Sequence, residues 1–152
     1  MTDNNNKKYS ILLIDDEESI FEVIEGLLYR EGYNLIYIDS GKEALNRIDE
    51  IQPDVILLDL MMPEMDGIET CKLIKSNEGW RHIPIIMVTA LSSKEDLARS
   101  LNAGADDFVS KPINSIELRA RVRSMLRIKL QYDALSATQR LRTLNLFNAF
   151  LT

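Results

Sequence analysis

The sequence is poor in the residues that cross-link small proteins or bind soft metals. Its 152 residues include one cysteine, Cys71, and one histidine, His82. A single cysteine excludes an internal disulfide framework and is typical of a reducing compartment, so we expect a cytoplasmic protein. Zinc prefers Cys and His ligands, so a metal site in this chain would have to use oxygen ligands instead.

Long apolar runs are also missing. No stretch approaches the roughly 18 apolar residues that a membrane-spanning helix requires, and residues 1–8 lack the apolar stretch of a signal peptide. We therefore expect no membrane association, and we interpret residues 1–8 as a disordered tail. Neither G-x-G-x-x-G nor G-x-x-x-x-G-K-[ST] occurs, so nucleotide binding is poorly supported.

Charge is distributed unevenly along the chain, whose net charge is −6. Residues 1–111 contain 22 acidic and 11 basic residues, a net charge of −11, whereas residues 112–152 contain 2 acidic and 7 basic residues, a net charge of +5. An acidic body argues against a nucleic-acid surface there. The basic segment could contact nucleic acid or an acidic partner, but a solvated helix face is the favoured interpretation, so we do not expect binding to nucleic acid.

Short apolar runs alternate with longer amphipathic segments. Five strand–helix pairs in strict alternation predict an α/β fold, a parallel sheet covered by helices on both faces. Right-handed crossovers leave few topologies, among which the doubly wound, flavodoxin-like order 2-1-3-4-5 is favoured. The predicted strands are Ser10–Ile14, Asn34–Ile38, Asp54–Leu58, Ile85–Thr89 and Asp106–Ser110.

Capping signals set several helix boundaries. Ser40 with Glu43, and Ser92 with Glu95, match the capping box that starts a helix. The last helix is unusual, because residues 115–151 contain neither Gly nor Pro. Unbroken, it would run for roughly 37 residues, far longer than the domain requires.

Polar side chains end four of the five predicted strands. Asp15 and Asp16 follow the first strand, Asp59 follows the third, Thr89 ends the fourth and Lys111 follows the fifth. Each residue alone has an ordinary explanation as a turn former, a cap or an exposed side chain. Ligands of open parallel sheets bind beyond the carboxyl ends of the strands, so the joint placement predicts one site. Asp39, which follows the second strand, is not included in this site, because that strand is expected at the edge of the sheet.

Three carboxylates in one small site require compensation. Two unit charges about 4 Å apart repel by roughly 4 kcal/mol at an effective dielectric constant near 20. Lys111 is one compensating charge, and a hard divalent cation is another. Mg²⁺ fits best, since it binds through one or two carboxylates, keeps several waters and leaves room for phosphate oxygens.

The motifs at these strand ends occur together in a known arrangement. The segments ILLIDDEES, DVILLDLMMPEMDG, PIIMVTA and GADDFVSKP follow one another at family spacing. They closely resemble the receiver domain of bacterial two-component response regulators. The resemblance covers about residues 9–128, which we interpret as the receiver domain, with residues 129–152 as a C-terminal helical extension.

The resemblance implies roles for the acidic residues and their neighbours. Asp59 matches the phosphoacceptor. Asp16, Asp59 and the backbone carbonyl of Met61 match the direct Mg²⁺ ligands, and Asp15 matches the acid that holds the ion through water. The implied donor of the phosphoryl group is a sensor histidine kinase or a phosphotransfer protein.

The remaining matched positions carry the switch. Thr89 resembles the hydroxyl that moves to meet the phosphoryl group, and Lys111 resembles its cationic partner. The peptide bond before Pro112 is expected to be cis. Phe108 resembles the aromatic switch residue, at a position where Tyr is common, so the hydroxyl of that Tyr is absent here.

Two functions remain open for the whole chain, and a third is disfavoured. The first is a stand-alone signalling receiver that catalyses only its own phosphorylation and dephosphorylation. The second is the regulatory part of a larger enzyme, because residues 117–135 resemble the linker helix that joins receivers to diguanylate cyclase-type output domains. The third is a metal-dependent phosphohydrolase, which usually has a second carboxylate two residues after the nucleophile; Met61 stands there instead.

The extension carries a repeating apolar pattern. A 4,3 spacing favours pairing of helices, so we expect a homodimer formed through this helix or through the face of helix 4, strand 5 and helix 5. Folding back of the extension onto its own domain is the alternative. The pattern comprises Leu130, Ala134, Ala137, Leu141, Leu144 and Leu151, interrupted by Asn148.

Overall fold

The computed structural model describes residues 8–90 and 93–151 and contains one five-stranded parallel sheet. The strand order is β2-β1-β3-β4-β5, as predicted. The strands are β1 (Ser10–Ile14), β2 (Asn34–Ile38), β3 (Val55–Leu58), β4 (Ile85–Thr89) and β5 (Asp107–Ser110). The helices are α1 (Glu18–Leu28), α2 (Gly41–Ile51), α3 (Gly67–Ser76), α4 (Lys94–Asn102) and α5 (Ser115–Leu151).

Both faces of the sheet are buried, which explains why its strands are almost wholly apolar. Successive residues of a strand point to opposite faces. In β1, Leu12 and Ile14 belong to a core that includes residues of α2 and α3, whereas Ile11 and Leu13 belong to a core that includes residues of α1 and α5. The strands therefore form a rigid platform that holds the loops at their carboxyl ends.

Local signals account for most helix boundaries. The Ser40 hydroxyl accepts a hydrogen bond from the Glu43 amide, which confirms the first capping box. The second cap lies one residue later than predicted: the N-cap of α4 is Ser93, whose hydroxyl accepts from the Asp96 amide. Both pairs have the same three-residue spacing, so the sequence pattern alone could not separate them. Ser92 lies outside the described residues.

The last helix is continuous over 37 residues, as its composition predicted. At about 1.5 Å per residue, α5 is roughly 55 Å long. Its first half packs on the sheet, with Leu118, Val122, Met125 and Leu126 buried. Residues 137–151 are all exposed, so the extension does not fold back onto the domain. Among the described helices, none is long and apolar enough to cross a membrane.

Gly67, the first residue of α3, lies against the backbone that follows β3. A Cβ atom at Gly67 would lie 2.2 Å from the Asp59 carbonyl oxygen and 2.8 Å from the Leu60 Cα. The Gly67 amide also donates to the Leu60 carbonyl at 2.9 Å. This close approach lets α3 start directly behind Asp59.

We predict that Gly67→Ala lowers the free energy of unfolding by about 2–3 kcal/mol, because backbone atoms cannot move aside as a flexible side chain can. Denaturant titration of the purified protein measures this change. Gly26→Ala is the control, since a Cβ atom at Gly26 in α1 would meet no atom of another element within 4 Å. Alanine there should stabilise the helix by about 0.5–1 kcal/mol. Equal effects of the two substitutions would contradict the packing explanation.

Candidate functional site

The predicted strand-end residues meet at the carboxyl edge of the sheet, where β1 and β3 are neighbours. The sheet order reverses between these two strands, and such a switch point is where open α/β sheets bind ligands. The Asp59 amide donates to the Ile14 carbonyl at 2.9 Å, which holds the end of β3 beside the end of β1. Asp15, Asp16 and Asp59 each offer a carboxylate oxygen within 4.8 Å of those of the others.

Lys111 completes the site as its positive charge. Its ammonium donates to Asp15 Oδ2 at 3.1 Å and lies 3.8 Å from Asp59 Oδ1. The other oxygen of Asp15, Oδ1, accepts from the Glu17 amide at 2.9 Å. Asp15 is thus held by two donors, whereas Asp16 is exposed to solvent. One ammonium faces three carboxylates, so the site keeps excess negative charge.

The end of β5 fixes the position of Lys111. The Lys111 amide donates to the Thr89 carbonyl at 2.8 Å, and the Lys111–Pro112 bond is cis, as predicted. Thr89 itself is 1% exposed at the end of β4. Phe108 is partly buried and packs against the core on the α2 and α3 side of the sheet. The residues assigned to the switch therefore lie on β4, which neighbours β3, and on β5, the next strand beyond it.

Burial of Asp59 raises the pKa of its carboxyl above the ordinary value. The nearby charge of Asp15 raises this pKa further, while Lys111 and a hydrogen bond with the Met61 backbone lower it. The net rise means that the ionised carboxylate is less stable here than in water. A cation bound beside Asp59 would relieve this cost.

The residues fit a hard divalent cation. Within residues 8–90 and 93–151, these three aspartates are the one group of acidic, His or Cys side chains close enough to share an ion. All of their donor atoms are carboxylate oxygens, the ligands that Mg²⁺ prefers. Met61 is 63% exposed, and the family resemblance assigns its backbone carbonyl, not its side chain, to the ion.

Sequence reasoning missed one side chain that supports the site. The Tyr37 hydroxyl donates to the Asp15 backbone carbonyl at 2.7 Å, and its ring stacks on Phe21 with centroids 5.4 Å apart. Tyr37 lies inside β2, so no strand-end signal identified it. The parallel pairing of Ile14 with Ile38 brings it there, and that register is not visible in a single strand.

Comparison with known families and proteins gives a consistent result. Residues 11–123 match the response regulator receiver domain family. Over 117 residues, the chain is 42% identical to the DNA-binding response regulator MtrA of Mycolicibacterium smegmatis, a match that covers 77% of this chain and 50% of MtrA. Over 125 residues, it is 42% identical to the response regulator PleD of Caulobacter vibrioides, covering 82% of this chain and 28% of PleD. The chain thus spans half or less of these relatives.

Solved structures resemble the fold over nearly their whole length. A crystal structure of a putative response regulator from Chloroflexus aurantiacus superimposes with a TM-score of 0.76 at 32% identity. The match covers 80% of this chain and 99% of that one. The part of this chain that the match does not cover is similar in size to the C-terminal extension.

We predict that Asp59→Asn stabilises the protein in the absence of divalent cations. The substitution removes a buried negative charge that repels Asp15 and whose ionisation the fold disfavours. Roughly 4 kcal/mol of repulsion, partly offset by Lys111, leaves a gain of about 1–2 kcal/mol. For a chain of this size, this raises the Tm by about 2–8 °C in thermal unfolding with EDTA.

Asp39→Asn is the matched control, since Asp39 is an exposed aspartate that follows edge strand β2. It should change the free energy of unfolding by less than about 0.5 kcal/mol. Added Mg²⁺ should stabilise the wild type and the Asp39 variant more than Asp59→Asn. A Tm for Asp59→Asn below that of the wild type in EDTA would contradict the prediction, because it would show that the Asp59 carboxylate stabilises the fold.

Proposed function

Because the chain belongs to the response regulator receiver domain family, we propose that Asp59 accepts a phosphoryl group from a sensor histidine kinase or a phosphotransfer protein. One observation supports this most directly: the Asp59 carboxylate lies with those of Asp15 and Asp16, and 3.8 Å from the Lys111 ammonium. This is an anionic nucleophile beside a fixed cation, the arrangement that phosphoryl transfer requires.

We propose Mg²⁺ as the cofactor of this reaction. Asp16, Asp59 and the Met61 backbone carbonyl would hold the ion directly, with Asp15 acting through water. When bound, the ion would neutralise negative charge on the phosphoryl oxygens. The excess negative charge of the three aspartates and the raised pKa of Asp59 both support a bound cation.

A carboxylate nucleophile, Mg²⁺ and Lys111 suffice for the transfer itself. An oxygen of Asp59 attacks the phosphorus, the phosphorus–nitrogen bond of a donor phosphohistidine breaks, and the imidazole nitrogen keeps the electron pair. Lys111 pairs with an oxygen of the incoming group. Asp15 holds Lys111 at 3.1 Å, so the ammonium is already in position and little reorganisation is needed.

Phosphorylation would add charge and acceptor oxygens next to Thr89. New contacts of the phosphoryl group with Thr89 and Lys111 would bias the protein towards one of two arrangements around Thr89. Phe108 on the neighbouring strand would follow by filling the space that Thr89 leaves. A switch of this kind changes the outer surface of β5 and its flanking helices, where partners can read it.

We favour a signalling function in the cytoplasm, in which the chain catalyses only its own phosphorylation and dephosphorylation. The alternative is the regulatory part of a larger enzyme such as a diguanylate cyclase. The coverage of only 28% of PleD favours a further domain in that relative. The reading frame beyond Thr152 separates the two possibilities. Binding of DNA, which the name of MtrA describes for that relative, is not part of our proposal.

We further propose that the chain forms a homodimer through the extension. Exposed leucines recur along α5 at heptad spacing, including Leu141 at 60%, Leu144 at 53% and Leu151 at 66% exposure. Asn148 falls in the same seam, and a single polar residue there selects register at some cost in stability. The face of α4, β5 and α5, where Ile116 is 71% exposed, is the alternative interface.

We predict that acetyl phosphate with Mg²⁺ phosphorylates the wild type and fails with Asp59→Asn, because the nucleophilic oxygen is then an amide. Intact-protein mass spectrometry measures the added phosphoryl group. Asp39→Asn, at the same edge of the sheet, should be phosphorylated as the wild type is. Lys111→Met should slow the reaction by about 10²-fold or more, as expected on losing a preorganised charge.

Two results would contradict this assignment. Unchanged phosphorylation of Asp59→Asn would place the acceptor elsewhere, and loss of phosphorylation in Asp39→Asn would show that the reaction is sensitive to any charge at this edge. Omission of Mg²⁺ should abolish phosphorylation of the wild type, which tests the proposed cofactor separately.

We predict that Leu144→Arg weakens self-association at least tenfold, measured by light scattering across a concentration series with and without beryllofluoride and Mg²⁺. Burying a leucine contributes about 1.5–3 kcal/mol, and two arginines facing each other would repel as well. Leu146→Arg is the control, because Leu146 is exposed on the same helix but lies outside the seam. Dissociation by Ile116→Arg with no effect of Leu144→Arg would favour the alternative interface.

A further inference from the structure

A second polar cluster lies at the opposite, amino-terminal edge of the sheet, where α5 leaves the domain. The buried apolar side chains of α5 end at Leu126. One turn later the same face of the helix carries Lys129, which is only 8% exposed. A buried lysine directly after the last buried leucine requires a specific partner.

Lys129 joins the helix to the sheet. Its ammonium donates to Asp133 Oδ2 at 2.6 Å, one turn further along α5, and lies 3.8 Å from Asp54 Oδ1, just before β3. Asp54 is itself fixed, since its Oδ2 accepts from the Ser10 amide at 2.8 Å. A buried charge shared between the two elements holds this turn of α5 against the ends of β1 and β3.

An aromatic contact holds the same turn from another side. The ring of His82, in the loop between α3 and β4, stacks on that of Tyr132 with centroids 4.5 Å apart and planes at 11°. His82 Nδ1 is buried without a hydrogen-bond partner among the described residues. Burial lowers the pKa of His82, so the ring is neutral at pH 7. The stacked contact is therefore what this side chain contributes.

The loop that carries His82 is anchored to the rest of the domain. His82 can restrain Tyr132 only because this loop is held in place. Lys75 Nζ donates to the Ile83 carbonyl at 2.7 Å and to Asp106 Oδ2 at 2.9 Å. The Trp80 indole donates to Asp49 Oδ1 at 2.7 Å, which ties the loop to α2. The loop that carries His82 is therefore tied to α2 and to α3, and through Lys75 to Asp106 just before β5.

We propose that Asp54, His82, Lys129, Tyr132 and Asp133 form an exit clamp, which sets the direction in which the extension leaves the domain. Without the clamp, the buried stretch of α5 from Leu118 to Leu126 spans about 12 Å; with the contact of Tyr132 to His82, the anchored stretch spans about 21 Å. Nearly doubling the anchored length about halves the angle through which the free end can swing. The extension and the domain then move as one body.

Distances between spin labels test this directly in the full chain. Spin labels on Glu50→Cys in α2 and Gln139→Cys in α5 report the width of the distance distribution between the domain and the extension. Unlabelled protein is added in excess, so that distances between labels on different copies do not contribute. Cys71 is fully buried, and a parent without the two new cysteines measures any labelling there. We expect a narrow distribution in the labelled protein that carries only the two new cysteines. Adding His82→Ala, or His82→Ala with Asp54→Asn, should broaden it about twofold.

Both test substitutions lie on the domain, so the helical propensity of α5 is unchanged. Arg127→Met and Phe147→Ala are controls that alter charge and aromatic area on exposed positions of α5 outside the clamp, and they should leave the distribution narrow. His82→Ala alone decides the proposal if the double variant does not fold. An unchanged width in His82→Ala, in protein that still unfolds in one thermal transition, would overturn it.

Discussion

The crowding of three carboxylates against one ammonium is the constraint from which the rest of the site follows. Asp59 lies at the end of a wholly apolar strand, so its carboxylate cannot move into solvent without disturbing the sheet. Asp15 is buried beside it and is committed to Lys111 and the Glu17 amide. This leaves Asp59 as the acid whose ionisation is least compensated. The same deficit that makes the site costly without a cation favours the proposed Mg²⁺, and the ion together with Lys111 would offset the negative charge that a phosphoryl group adds.

The supporting structure keeps these groups close despite their repulsion. The charged side chains follow strands of a sheet that is buried on both faces. Because a close-packed core resists deformation, the ends of these strands cannot move apart easily. Tyr37 holds the backbone of Asp15, and Gly67 admits the start of α3 behind Asp59. Neither residue takes part in the proposed chemistry. Tyr37 fixes the backbone at Asp15 and Gly67 packs against the backbone at Asp59, so each helps to keep its acid in place.

Much of this arrangement follows from local sequence. The alternation of apolar runs and amphipathic segments predicted the sheet and its order, and the residues after each strand predicted Asp15, Asp16, Asp59, Thr89 and Lys111. What local sequence could not provide are contacts set by register and by packing between distant segments. Tyr37 reaches Asp15 through the pairing of β2 with β1, and Lys129 reaches Asp54 only once α5 has crossed the sheet. The stacking of His82 on Tyr132 joins a loop to a distant helix, and no local pattern around either ring indicates it.

The candidate phosphorylation site lies at the carboxyl edge of the sheet and the exit clamp lies at the amino-terminal edge. Helix α5 passes from one edge to the other. It begins four residues after Lys111 and continues, without a break, past the amino-terminal edge as the extension. A change around Lys111 can reach the extension only by moving α5 against the sheet, because an unbroken helix does not bend easily over this length. The clamp at Lys129 and Tyr132 opposes tilting of that helix, since it adds a second point of attachment far from the first.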